Sequence, residues 1–83
     1  MDYYLFIART ITHAQRMIQV LKTAGTHAQI FRAPTGLTDR GCSYAVKVSE
    51  EKFNQALQQL QTASLQPLSI FHHQADGYKK VER

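Results

Sequence analysis

The residue best equipped for covalent chemistry is Cys42, the only cysteine in the chain, at the end of a loop that runs from Arg32 to Ser43. A thiolate, not a thiol, is the nucleophile, and cationic neighbours or free backbone N–H groups lower a cysteine pKa from its free value of about 8.5. Arg40 stands two residues before the cysteine and Arg32 stands across the loop, so either guanidinium could supply that charge. Gly41, without a Cβ, would keep the approach to the sulfur open. A plainer account fits the same residues: Cys42 as a small hydrophobe at the start of a strand, and the arginines as solvated loop charges.

Other chemistry is less well supplied. A cysteine hydrolase needs a histidine base within reach of the sulfur, and the chain has His13 at a helix start, His27 opening a strand, and His72 and His73 ending one. The end of the first strand and the start of the first helix are expected where the third strand finishes, away from Cys42. Adjacent residues in a strand point to opposite faces, so His72 and His73 are poorly arranged for joint ligation. With one cysteine and no CxxC pair, a structural zinc would require ligands from two chains, and no metal or cofactor is expected. Gly36 and Gly41 lead into a strand and not a helix, so there is no phosphate-binding loop.

Composition narrows the class. Eighty-three residues, 43% hydrophobic and 19% charged, suit one globular domain with a modest core. No stretch approaches the roughly 20 apolar residues that span a bilayer, and Met1-Asp2-Tyr3-Tyr4 lacks the basic region of a signal peptide. A cytoplasmic protein with no membrane partner is expected, its lone thiol kept reduced. The net charge of +4 could suggest nucleic acid, but the cations are scattered singly except for Lys79, Lys80 and Arg83. That distribution argues against specific nucleic-acid binding.

The elements that must position Cys42 follow from periodicity. Residues 2–8 are apolar on both alternating faces, as in a central strand. Thr10 or Thr12 can cap a first helix whose Ala14, Met17, Ile18 and Leu21 form a core-facing stripe, closed by Ala24-Gly25. Residues 27–33 form a second strand ended by Pro34, and residues 42–48 a third, with Tyr44, Val46 and Val48 on the core side. Ser49 is expected to cap a second helix with Glu50 and Glu51 in its first turn; Phe53, Ala56, Leu57 and Leu60 face the core and the glutamines face water. Residues 67–72 are expected as a fourth strand at the sheet edge.

This order predicts an α+β fold, the ferredoxin-like βαββαβ arrangement: a four-stranded antiparallel sheet with two helices on one face. A single domain over residues 1–73 and a short charged tail over 74–83 are expected. The face without helices would be open, with Tyr3, Phe31 and Ala45 as an apolar patch that favours a homodimer or partner binding.

The opening strand, Thr12-His13-Ala14, Arg32-Ala33-Pro34-Thr35 and the run Gly41-Cys42-Ser43-Tyr44-Ala45-Val46-Lys47-Val48 resemble a small bacterial family of selenium/sulfur carrier-like proteins. The resemblance covers nearly the whole chain. Members usually follow the cysteine with glycine, where this chain has Ser43. The resemblance implies a carrier that holds sulfur or selenium on Cys42 as a persulfide or selenopersulfide; Arg40, Arg32 and Gly41 are the residues whose chemistry could assist that thiol. Its partners would be sulfur or selenium donor and acceptor proteins, which makes it a carrier or binding protein and not a self-sufficient enzyme. The competing reading is an interaction or regulatory module that uses the open sheet face.

Overall fold

Tyr3-Tyr4-Leu5-Phe6-Ile7-Ala8 form β1, and the computed structural model, which describes residues 2–33, 44–74 and 77–81, places this strand at the centre of the sheet. Leu5, Phe6, Ile7 and Ala8 are fully buried, which is why both alternating faces of the strand read as apolar. β1 is followed by α1 (Ile11–Thr23), β2 (Gln29–Arg32), β3 (Tyr44–Ser49), a 3-10 turn (Glu50–Lys52), α2 (Phe53–Thr62), β4 (Ser69–Gln74) and β5 (Gly77–Lys80). The sheet is antiparallel in the order β2-β3-β1-β4-β5.

The sheet therefore has five strands where four were expected. Gly77–Lys80, expected as part of a solvated tail, pair with β4, and Val81 N–H extends the ladder to the Ile70 carbonyl at 2.8 Å. β4 is consequently an interior strand and β5 takes the edge. Every residue of β5 is exposed, which suits an edge that carries Lys79 and Lys80, since charge there discourages pairing with further strands. A four-residue polar strand has no periodic apolar signal to reveal it; only the partner makes it a strand.

Thr10 is the N-cap of α1, its hydroxyl accepting the His13 N–H at 3.1 Å, while His13 Nδ1 accepts the Arg9 N–H at 3.3 Å. Both helices end in the same hydrogen-bond pattern. After α1, Gly25 N–H bonds to Lys22 and Thr26 N–H to Leu21; after α2, Ser64 N–H bonds to Gln61 and Leu65 N–H to Leu60. The pattern needs a left-handed residue, supplied by Gly25 at φ 85° and by Ser64 at φ 60°. Ser49 precedes the 3-10 turn without a side-chain cap bond, so the expected cap is absent and the α-helix proper starts at Phe53.

The helices cover one face of the sheet. Ala14, Met17 and Leu21 of α1 and Phe53, Ala56, Leu57 and Leu60 of α2 pack with Phe6, Ala8, Val46, Val48 and Ile70. Between the helices, buried Thr26 donates to Gln59 Oε1 and accepts from Gln55 Nε2, both at 2.9 Å. Two of the glutamines expected to be purely solvated thus satisfy a buried hydroxyl.

The opposite face holds a second apolar cluster. Leu5, Ile7, Ala45 and Phe71 are buried there, with Tyr3, Phe31, Ala33 and Leu68 packed against them. Tyr3, Phe31 and Ala45 share this face as expected, but the patch is less open than expected: Ala45 is inaccessible, and Tyr3 and Phe31 are half-buried.

Candidate functional site

Cys42, Arg40 and Gly41 lie outside the described residues. What the structure fixes is the end of the sheet at which β3 begins. Tyr44, two positions after Cys42, pairs across β3 with Ala8 of β1 on one side and with Arg32 of β2 on the other. Arg32, an exposed residue, is therefore at the end where β3 starts. The register also corrects the expected placement of His13. Because β1 runs antiparallel to β3, Ala8 and the start of α1 lie where β3 begins, and His13 belongs to that end. His27, His72 and His73 belong to the other: Gln29 pairs with Lys47, and Tyr3 pairs with both Ser49 and His73.

The far end carries a set of side chains that sequence reasoning missed. At about 3.4 Å of rise per residue, the five steps from Ala8 back to Tyr3 put it roughly 17 Å away. His72 and His73 do point to opposite faces. On the helix side, His72 stacks on Tyr4 with ring centroids 4.2 Å apart and planes 8° from parallel, and Tyr4 in turn stacks on Phe53 at 3.8 Å. His72 Nε2 lies 2.9 Å from Glu50 Oε2, and its Nδ1 lies 3.2 Å from the Gln74 amide nitrogen. Donor atoms of Asp2, Glu50 and His72 all fall within 4.8 Å of one another.

On the other face, His73 stacks on Tyr3 at 4.4 Å and meets Tyr78 edge-on at 5.0 Å. The Tyr3 and Tyr78 hydroxyls are 3.0 Å apart, and Lys47 Nζ sits 4.4 Å from the Tyr3 ring centroid. The hydrogen bond to Tyr78, then burial, push the Tyr3 phenol up from 10.0 to about 12, because both favour the neutral form. An open groove of about 580 Å³ runs along this end, bordered by Asp2, Tyr3, His27, Lys47, Ser49 and Lys52. The signal that could have found this end was the density of Tyr, His and Lys in Asp2–Tyr4, Lys47–Lys52 and His72–Tyr78. Three separated segments do not announce that they meet.

A family model described as "Putative Se/S carrier protein-like" matches residues 3–72. Neither the curated proteins nor the solved structures gave a match. Among the described residues, no helix is long and apolar enough to cross a membrane.

Proposed function

The chain belongs to the Se/S carrier-like family, and from that premise we propose that it carries a sulfur or selenium atom on the thiol of Cys42 and hands it to a partner protein. The observation that carries this reading is the family match over residues 3–72, which encloses the only cysteine in the chain.

In the proposed step the Cys42 thiolate attacks the terminal sulfur of a donor persulfide, R–S–SH. A bond forms between the Cys42 sulfur and that terminal atom, the donor S–S bond breaks, and the donor leaves as a thiolate. The proton stays on the transferred sulfur, which gives Cys42–S–SH with no external oxidant. A selenopersulfide donor, R–S–SeH, reacts in the same way. The acceptor protein's thiolate then repeats the exchange against Cys42.

Arg32 and Arg40 are assigned the role of cations that favour the thiolate, and Gly41 that of keeping the sulfur accessible. The strand register supports the assignment of Arg32, since Arg32 pairs with Tyr44 and Cys42 is only two residues further back along the chain. The scaffold is read as ferredoxin-like, on the strength of the β2-β3-β1-β4 order and the two helices on one face, with β5 added at the edge. A thiol carrier of this kind needs a reducing compartment, which favours the cytoplasm.

The test is the intact mass after incubation with a cysteine desulfurase and cysteine, or selenocysteine, with Cys42→Ser as the control. A gain of one sulfur or selenium atom, removed by reductant and missing from the control, is the expected result. No adduct, together with slow alkylation of Cys42 in the folded protein, overturns the carrier reading.

A further inference from the structure

We propose that Asp2, Glu50 and His72 form a binding site for a first-row divalent transition ion, zinc above all, at the end of the sheet away from the start of β3. The three residues come from three parts of the chain: the residue before β1, the first residue of the 3-10 turn, and β4. No spacing rule in the sequence joins them.

The distances suit a metal. An ion with ligands at about 2.1 Å holds neighbouring ligand atoms about 3.0 Å apart in an octahedron, and somewhat further apart in a tetrahedron. His72 Nε2 and Glu50 Oε2, at 2.9 Å, already stand at such an edge. Asp2 is exposed and its donor lies within 4.8 Å of the other two, so rotation of one unburied side chain completes a three-ligand face.

The imidazole is also prepared in the way a ligand needs to be. Stacking on Tyr4, itself stacked on Phe53, fixes the ring plane, so little rotamer freedom is lost on binding. A metal-bound histidine donates its second ring N–H to an acceptor, which selects the tautomer. Gln74 stands 3.2 Å from Nδ1, and exchanging its amide O and N, which have nearly the same shape, makes it that acceptor. The Nε2 lone pair then points toward Glu50. The ion binds that lone pair beside the Glu50 carboxylate, and the imidazole keeps its single proton on Nδ1.

The donor set decides the class of ion. An imidazole nitrogen with two carboxylates favours zinc and its neighbours over magnesium and calcium, which take oxygen ligands. Two carboxylates balance the charge of a divalent ion. Three protein ligands on an exposed surface leave the remaining positions to water. Binding would tie the residue before β1 to the 3-10 turn and to β4, so the ion stabilises the fold by mass action.

The experiment is a calorimetric titration of the full chain with zinc chloride in a Cys42→Ser background, which removes the thiolate as a rival ligand. One ion per chain with micromolar affinity is expected, together with a melting temperature that rises with zinc concentration. His72→Gln should weaken binding at least tenfold, Asp2→Asn, at an exposed position that does not endanger the fold, several-fold, and Gln74→Leu about tenfold, the usual cost of losing an outer-shell partner. His27→Gln, an exposed imidazole near the same end, should leave affinity within twofold. Unchanged affinity in both His72→Gln and Asp2→Asn, or no saturable binding below millimolar zinc, would overturn the proposal and leave the cluster as a His72–Glu50 ion pair only.

Discussion

The two ends of the sheet gather their chemistry in opposite ways. Toward the start of β3, the residue proposed to react is Cys42, whose proposed helpers Arg40 and Gly41 are close in sequence, while Arg32 pairs with Tyr44, two positions after the cysteine. Where β3 finishes, no single residue stands out, yet Asp2, Glu50 and His72 meet on one face and Tyr3, His73 and Tyr78 on the other. A local site can be read along the chain, whereas an assembled one exists only because antiparallel pairing sets β1 between β3 and β4, with β5 beside β4.

The sharpest separation of the two ends is by function. Cys42→Ser should abolish sulfur or selenium loading completely, while His72→Gln should leave loading at its parental level, as read by intact mass. Loss of loading in His72→Gln without loss of fold would show the ends to be coupled.

Next in size is a change that should strike both ends at once. Phe6 is fully buried in β1 between β3 and β4, and Phe6→Ala should cost about 3–5 kcal/mol. Denaturant unfolding should remain a single transition, because one strand serves both ends.

Smaller effects distinguish the anchors of α1. Thr26→Ala removes a buried hydroxyl that serves both Gln55 and Gln59, and should cost about 1–3 kcal/mol. Thr10→Ala removes an exposed cap bond at the other end of the helix, and should cost about 1 kcal/mol. Equal losses in thermal melts would show that burial adds nothing to the first.

The two helix ends offer a matched pair. Gly25→Ala meets no atom within 4 Å, so its cost of about 1–2 kcal/mol would be purely that of the left-handed backbone. Ser64→Gly should recover up to about 1 kcal/mol by relieving the same conformation. Opposite signs in the two melts are the expected result.

The smallest effect is at high pH. Tyr3 ionises near 10.0 in the unfolded chain and near about 12 in the fold, so above pH 10.0 the unfolded state loses a proton that the folded state keeps. The stabilising contribution is complete below 10.0 and is lost as pH rises toward about 12. Tyr78→Phe removes the main cause of the shift, and tyrosinate absorbance in the folded protein should then appear at lower pH.

Much of this architecture was legible in the residues. The stripes Ala14-Met17-Leu21 and Phe53-Ala56-Leu57-Leu60 gave two helices their buried faces, because apolar side chains at helical spacing have only one way to leave water together. The alternation of Tyr44, Val46 and Val48 against Ala45 and Lys47 gave β3 its faces. The lone cysteine and its family resemblance pointed to a carrier, and the family is shown. β5 was not legible, since Gly-Tyr-Lys-Lys is a strand only through its bonds to β4. The second cluster was legible in part: Tyr3, Phe31 and Ala45 were expected together on that face, but not the full burial of Ala45, because alternation says which residues share a face and not how closely their neighbours cover them. His13 was expected at the wrong end because the ends that meet depend on strand direction, which the β1–β3 register alone decides. The sequence by itself determined which residues seek burial, since hydrophobic spacing is a property of the chain. The tertiary structure decided which polar residues meet, since His72 and Glu50 are 22 positions apart and only the folded sheet brings them to 2.9 Å.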